Sequence, residues 1–317
     1  MKIVPFQPTI TRLDTDFLII GGGAAWCAAA IEARELDPNA YIMILENAQI
    51  ERSGCLASGI NAINAYITEN QTPESYLEYV KHDAHGLLRD DLVYSIALEL
   101  NQATARAESW GLPIMKEGGK PLQKGPRSIR IRGESIKPIH AKKVRSAQIT
   151  VLNRVTATNF ILNQGNVEGA YAFNLRNGQF YAIRAKGVII ATGGASGIYR
   201  TSNTGEIAHR MWYSPFNTGA GYAMGIRSGA DMTSFEMRFI PTRIKDSATP
   251  TGVLAQTFRM PQVNILGEQF LKERYSFNNK QRATTCQRLH CMFKELKEGR
   301  GPITFKMDHP VSYTHLT

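Results

Sequence analysis

The feature that constrains this chain most is a strand, a glycine turn, a helix and a second strand in direct succession. Residues 16–20, DFLII, are an apolar strand running into Gly21-Gly22-Gly23; Ala24 to Leu36 follow as an alanine-rich helix, and YIMILE is the second strand. That context lifts a glycine motif above coincidence. The glycines permit a tight turn and let backbone N–H groups approach a pyrophosphate at the helix N-terminus, where the helix dipole favours negative charge. Glu46 closes the second strand 25 residues after Gly21, placed to accept hydrogen bonds from an adenosine ribose. The dinucleotide contacts expected from this unit are Gly21, Gly23, Ala24, Ala25, Glu46 and Asn47. One position breaks the pattern: Trp26 stands where a third glycine or alanine normally lets helix and strand pack closely. An indole there is expected to push the helix away or to swing out towards solvent.

With 317 residues, 43% hydrophobic, the chain can bury a sizeable core and is expected to hold one large domain and part of another. No run reaches the roughly 18 apolar residues of a membrane helix, and the N-terminus lacks the order of a signal peptide, so a cytoplasmic location is expected. Cys27, Cys55, Cys286 and Cys291 include no CxxC pair. Any iron–sulfur or zinc site is therefore expected in a partner, and no metal ligand is assigned to this chain. The net charge of +10 favours an anionic ligand or an acidic partner. Its densest clusters, RSIRIR and KPIHAKKVR between residues 127 and 145, carry no interleaved aromatics and read as solvated surface, not a nucleic-acid stripe. His82, His85, His140, His209 and His290 read as structural or surface groups.

Periodicity predicts helices near 73–85, 90–111 and 137–147, followed by alternating strands over 149–185 as a β-rich insertion. The chain then rejoins the nucleotide sheet at GVIIATGG. A helix near 217–229 should stop at Gly229, and a helix at 279–298 precedes the strand ITFKMD.

The glycine motif, Glu46, the loop RSGCLASG, the strand and turn GVIIATGGASGIY, and EGRGPITFKMDH together resemble the succinate dehydrogenase and fumarate reductase flavoprotein superfamily. Within it the chain is most similar to the adenylylsulfate reductase α-subunit family, through AINAYI, WGLPIMK, IRIRGESIKPI and the block from TGEIAHRMWYSP to FIPTRIKD. The resemblance implies an α/β fold: a Rossmann-like FAD-binding domain at 1–238, lacking its C-terminal return segment, with a β-rich insertion, then an incomplete α+β capping domain at 239–310. It implies that the small, almost chargeless stretch ERSGCLASGINAINAY lies along the isoalloxazine ring, with Ser53, Gly54, Gly59 and Asn61 as cofactor contacts. Ala191, Thr192, Gly193 and Gly194 resemble the second FAD contact. Succinate dehydrogenase relatives carry a flavin-linked histidine after RS; Gly54 stands at that position, so noncovalent FAD is expected.

Asn64, Arg243 and Trp212 match family residues that touch flavin or substrate. An amide both donates and accepts, a guanidinium fork suits sulfate or phosphate oxygens, and an indole offers a stacking face. Without the resemblance they read as a loop cap, a surface ion-pair partner and core. The implied reaction is reduction of adenosine 5′-phosphosulfate to sulfite and AMP, or its reverse, through a flavin N5–sulfite adduct, with electrons from a ferredoxin-like iron–sulfur β subunit. Two alternatives stay open: a fumarate reductase, succinate dehydrogenase or L-aspartate oxidase type enzyme acting on a dicarboxylate, and a flavin electron-transfer component without a substrate of its own. The last seven residues, VSYTHLT, translate a sequencing-library adapter. Residues 311–317 are thus expected to be a non-native tail on a fragment that is inactive alone.

Overall fold

The computed structural model describes residues 9–199, 213–236, 260–275 and 283–306. Trp212 and Arg243 lie outside the described residues. The described part falls into two compact units: residues 9–78, 89–199 and 213–233, and residues 79–88, 234–236, 260–275 and 283–306.

The first unit opens with β1 (Ile10–Ile20), α1 (Ala24–Leu36) and β2 (Ile42–Glu46), as the glycine motif requires. Next come β3 (Ile60–Ile63), α2 (Pro73–Asp83), whose residues from Tyr79 on are grouped with the second unit, α3 (Asp90–Ser109), β4 (Lys116–Glu117), β5 (Lys120–Pro121), β6 (Gln123–Gly125), β7 (Ser128–Gly133) and α4 (Ile136–Ser146). Four further strands, β8 (Thr150–Asn153), β9 (Val155–Asn163), β10 (Asn166–Asn174) and β11 (Phe180–Ile190), precede α5 (Ala220–Arg227). Six strands form one sheet in the order β8-β2-β1-β11-β10-β9. The first four are parallel and the β11-β10-β9 end is antiparallel. Leu18, Ile19 and Ile44 are fully buried, as strands of a parallel sheet covered on both faces must be.

Two differences from the sequence expectation have physical causes. β1 begins at Ile10, not Asp16, because its polar first half pairs with the start of β11, Ile10 opposite Phe180, before β2 is met at Phe17. Strand pairing, not hydropathy, holds that half. The β-rich insertion also shares a strand with the nucleotide sheet: β11 is antiparallel to β10 and parallel to β1 at once. The basic clusters are mixed. In β7, Ile129 and Ile131 are buried while Arg130 and Arg132 face solvent. In α4, however, Lys137 is 0% exposed and His140 is buried, so the solvated reading fails for those two.

In the second unit β12 (Gln262–Val263) pairs with β13 (Thr304–Phe305), with α6 (Phe270–Glu273) and α7 (Thr285–Lys297) between them. α7 starts later than predicted because Thr284 caps it: its hydroxyl accepts from the Gln287 N–H at 3.1 Å, and the Gln287 side chain accepts from the Thr284 N–H at 2.8 Å. The glycine stop after α5 is as expected, with Gly229 at φ +83° and the Ala230 N–H bonded to Gly225 O at 3.0 Å.

Candidate functional site

Gly21 leaves β1 at φ +103°, a conformation L side chains rarely adopt, and its N–H bonds Leu45 O at 2.6 Å, tying the turn to β2. Gly23 caps α1 with no side-chain bond, so the first N–H groups of the helix are left for solvent or an anion. Glu46 is 3% exposed, and its Oε1 accepts from the Ala48 N–H at 2.7 Å. A Cβ on Gly22 would sit 2.4 Å from Glu46 Oε2. Gly22 is therefore a site residue that motif matching passed over; the signal was the run of three glycines, of which only the outer two were used. Burial pushes the Glu46 carboxyl up, opposed by hydrogen bonds from Ala48 and Ser53, the charge of Lys137 and the Gly22 backbone.

The loop after β2 closes on this turn. Buried Ser53 donates to Gly22 O at 2.9 Å. Gly54 adopts φ +83°, and a Cβ there would lie 2.9 Å from Gly23 Cα, so the two backbones meet with no room for a side chain. A histidine at position 54 would need both a left-handed backbone and displacement of the α1 start. From the other side, Ile190 pairs with Ile20, so Ala191 to Gly194 leave the sheet beside Gly21. Thr192 packs against α5, where a Cβ on Gly221 would fall 2.0 Å from its Oγ1, and Gly193 turns at φ +71°.

Trp26 corrects the expectation. Its indole does not reach solvent: it is 1% exposed, lies over Gly21, and donates its N–H to Ala191 O. Gly21 and Ala191 are thus partly engaged by protein, while Gly22, Gly23, Glu46, Ser53 and Gly54 cluster on one another. The other expected contacts have different surroundings. Asn47 is exposed; Gly59 is packed against Glu134, which a Cβ would approach to 3.0 Å; Asn61 is exposed on β3. Asn64 is exposed just after β3, and its Oδ1 accepts from Ser128 Oγ at 3.1 Å, the loop-capping role open to it from sequence.

A cavity of about 440 Å³ runs along α1, lined by alanines of α1 and α3 with Trp110, His140, Glu32 and Arg106. Its one arginine, Arg106, is already paired with Glu32 and Glu35, so the lining offers an anion no unengaged guanidinium. Burial pushes the His140 imidazole down, and its Nδ1 lies 2.7 Å from Ile136 O, which suits a neutral structural histidine. Among the described residues no cluster of three or more His, Cys, Asp or Glu could hold a metal ion, and no helix is long and apolar enough to cross a membrane. A flavin dinucleotide fits the cradle on its own terms: glycine backbone where any Cβ would collide, an uncapped helix start, and a buried carboxylate beside it.

The FAD binding domain family model matches residues 16–290. The adenylylsulfate reductase α-subunit of Megalodesulfovibrio gigas is 34% identical, over 94% of this chain and 50% of its own length. A fumarate reductase (CoM/CoB) chain of Methanothermobacter marburgensis is 28% identical, over 91% and 54%. Among solved structures, adenylylsulfate reductase from Archaeoglobus fulgidus superposes with a TM-score of 0.85 at 39% identity, covering 94% of this chain and 50% of that one. An adenosine-5-phosphosulfate reductase in complex with sulfite, a covalent adduct, gives 0.84 at 39% identity over the same shares. The chain spans about half the length of the curated relatives it matches.

Proposed function

The chain belongs to the FAD-binding domain family, and from that premise we propose that it holds FAD noncovalently and forms the flavoprotein part of an enzyme that reduces adenosine 5′-phosphosulfate to sulfite and AMP, or runs the reverse. The observation that carries the noncovalent reading is Gly54, whose backbone lies against Gly23 where a flavin-linked histidine has no space. The choice of substrate is supported by the 34% and 39% identity to adenylylsulfate reductases, against 28% for the fumarate reductase chain.

When bound, FAD supplies the redox chemistry. In this reading the chain's residues bind and orient. The start of α1 and the Gly21–Gly23 turn take the pyrophosphate, Glu46 accepts from the ribose hydroxyls, and the Ser53–Gly54 loop excludes water beside the turn. Asn64 and Arg243 orient the anionic substrate, and Trp212 packs beside the ring. Electrons arrive from an iron–sulfur partner, a reading supported by four free, scattered cysteines in this chain. The division into a nucleotide domain to 238 and a capping domain beyond it is part of the same proposal, as is a cytoplasmic location.

The test uses protein reconstituted with FAD. Acid precipitation should leave the yellow colour in the supernatant; colour retained in the pellet would mean a covalent link. The protein with its partner should oxidise sulfite only when AMP is present. Fumarate reduction instead would move the assignment to the dicarboxylate class, to which the fumarate reductase relatives point.

A further inference from the structure

Two helix faces built of alanine line the cavity beside α1 without closing on it. On α1 these are Ala24, Ala25, Ala28 and Ala29, which share one face; on α3 they are Ala103 and Ala107, one turn apart. Methyl side chains allow close approach, and a packed interior seldom leaves a void larger than a water molecule. Here about 440 Å³ stays open, within the roughly 300–1,000 Å³ of small-molecule sites. Ala25 and Ala103 are exposed, so the cavity opens to solvent.

The rest of the lining explains why the slot persists. Arg106 on α3 pairs with Glu32 and, at 2.7 Å, with Glu35, bridging α3 to α1. Its guanidinium lies over the Trp110 ring, 5.9 Å from the centroid. Trp110 and His140 of α4 meet edge to face, with ring centroids 5.3 Å apart and planes at 89°. Because Glu32 and Arg106 engage each other, neither an anion nor a cation finds an unengaged charge here.

His140 makes the slot more than a packing gap. It is 6% exposed and lines the cavity. Its Nδ1 lies 2.7 Å from Ile136 O, and a carbonyl only accepts, so that nitrogen carries the proton. Burial, which pushes the imidazole down, keeps the ring neutral and leaves Nε2 a bare acceptor. Among the described residues no donor reaches Nε2. A buried acceptor without a donor is costly, and the cavity is the space from which one can come.

We propose that this cavity is a small-molecule site separate from the nucleotide cradle, taking a neutral, flat aromatic molecule of one or two fused rings whose hydroxyl or N–H donates to His140 Nε2. The rings lie against the methyl groups of α1 and α3, with the Trp110 indole as the aromatic part of the wall. A pyrophosphate would take backbone N–H groups at the start of α1, whereas this site uses the side chains of Ala24 and Ala25 on the flank of the helix. The proposal goes beyond the FAD reading and does not depend on it.

The experiment titrates naphthol and its methyl ether, which keeps the rings and loses the donor, by ligand-observed saturation-transfer NMR. The proteins are wild type, His140→Phe and Ala103→Leu, each with and without FAD. Wild type should bind naphthol saturably and about fivefold more tightly than the ether, the weight of one neutral hydrogen bond. His140→Phe should bring the two probes to equal affinity. Ala103→Leu, at an exposed position, should weaken both by about tenfold through loss of room, with thermal unfolding unchanged. FAD should leave the naphthol affinity as it was.

The absence of saturable binding, equal affinities of the two probes for wild type, or a naphthol preference that survives in His140→Phe overturns the proposal. Binding unaffected by Ala103→Leu overturns it as well, because the probe then sits elsewhere. Displacement of naphthol by FAD would merge the cavity with the nucleotide cradle and sink the claim of a separate site. If His140→Phe does not fold, the wild-type probe pair and Ala103→Leu decide. A chain that binds no FAD overturns only the earlier reading, since the naphthol titrations without FAD stand alone.

Discussion

Among the described residues each unit buries one glutamate, and the two are held in opposite ways. Glu295, on α7, is 0% exposed and surrounded by donors: Arg300 Nε at 2.8 Å and Nη2 at 2.7 Å, Asn264 Nδ2 at 2.9 Å and the Tyr275 hydroxyl at 2.9 Å. Led by the Arg300 hydrogen bonds, its pKa falls from the usual 4.5 to about 2. Tyr275 is pushed up to about 12 by burial and by Glu295. Glu46 is almost as buried but lacks an ion pair within 4.0 Å among the described residues, and burial wins, raising its carboxyl. A buried charge with all its partners supplied by protein is architecture. One held by neutral donors without an ion pair is suited to a ligand that adds donors of its own.

The largest effect should come from removing a partner of Glu295. Arg300→Met leaves the carboxylate buried with only neutral donors, the costly way to break such a pair. Amide exchange in α7 and in the β12–β13 pair should accelerate by several hundredfold, roughly the scale of a broken buried pair. A change below about tenfold would show that Glu295 is not the anchor, and the contrast with Glu46 would collapse. The next largest effect is the same loss produced by protons, and the two glutamates should give it opposite signs. Glu295, with a depressed folded pKa, contributes stability above 4.5 that is lost as pH falls towards about 2. Glu46, with a raised one, contributes most below its unfolded pKa and loses that contribution as pH rises through its folded value. Between about pH 4.5 and about pH 2, unfolding of Glu295→Gln should show a flatter acid slope than wild type; Glu46→Gln should leave that slope alone and act only above about pH 4.5, where wild type loses the Glu46 contribution as pH rises and the variant does not. Equal slopes in the two variants would break the comparison.

Glu46→Gln sharpens it from the other side. An amide still accepts from the Ala48 N–H but carries no charge to desolvate, so the variant without cofactor should be more stable than wild type near neutral pH. FAD affinity should fall by about tenfold to a hundredfold, the usual weight of hydrogen bonds to a charged acceptor. Thermal unfolding without FAD and fluorescence titration with it separate the two changes. A variant that loses stability and affinity together would mean Glu46 is as structural as Glu295.

How much of this was legible depended on whether the interaction was local in sequence. The end of β2 at Glu46 could be read because a βαβ unit fixes its distance from Gly21 along the chain, whereas Gly54 drew notice only through the resemblance, as the position where relatives carry a histidine. α1 was correct to the residue. Glu295 was invisible as a site because its partners come from Asn264, Tyr275 and Arg300, and no periodicity announces that they converge. Lys137 was misread for the same reason: a basic run looks solvated until α4 turns one of its lysines inward under Cys27. Trp26 was seen as an exception, but its resting place needed the neighbouring strand, since the indole is satisfied by Ala191 on the far side of the sequence.

The smallest prediction uses a signal that was local and still passed over. Thr284 and Gln287 have the spacing of a capping box, and the box sets where α7 begins. Thr284→Ala should cost about 1 kcal/mol, the usual weight of a helix N-cap, measured by denaturant unfolding. Frayed exchange should be confined to the first turn of α7, with the amides around Glu295 unchanged. That separation matters for the comparison, because Glu295 lies in the last turns of the same helix. If Thr284→Ala accelerated exchange there as strongly as Arg300→Met, the stability of α7 would reside in its cap and not in its buried charge, and Glu295 would no longer be the counterpart of Glu46.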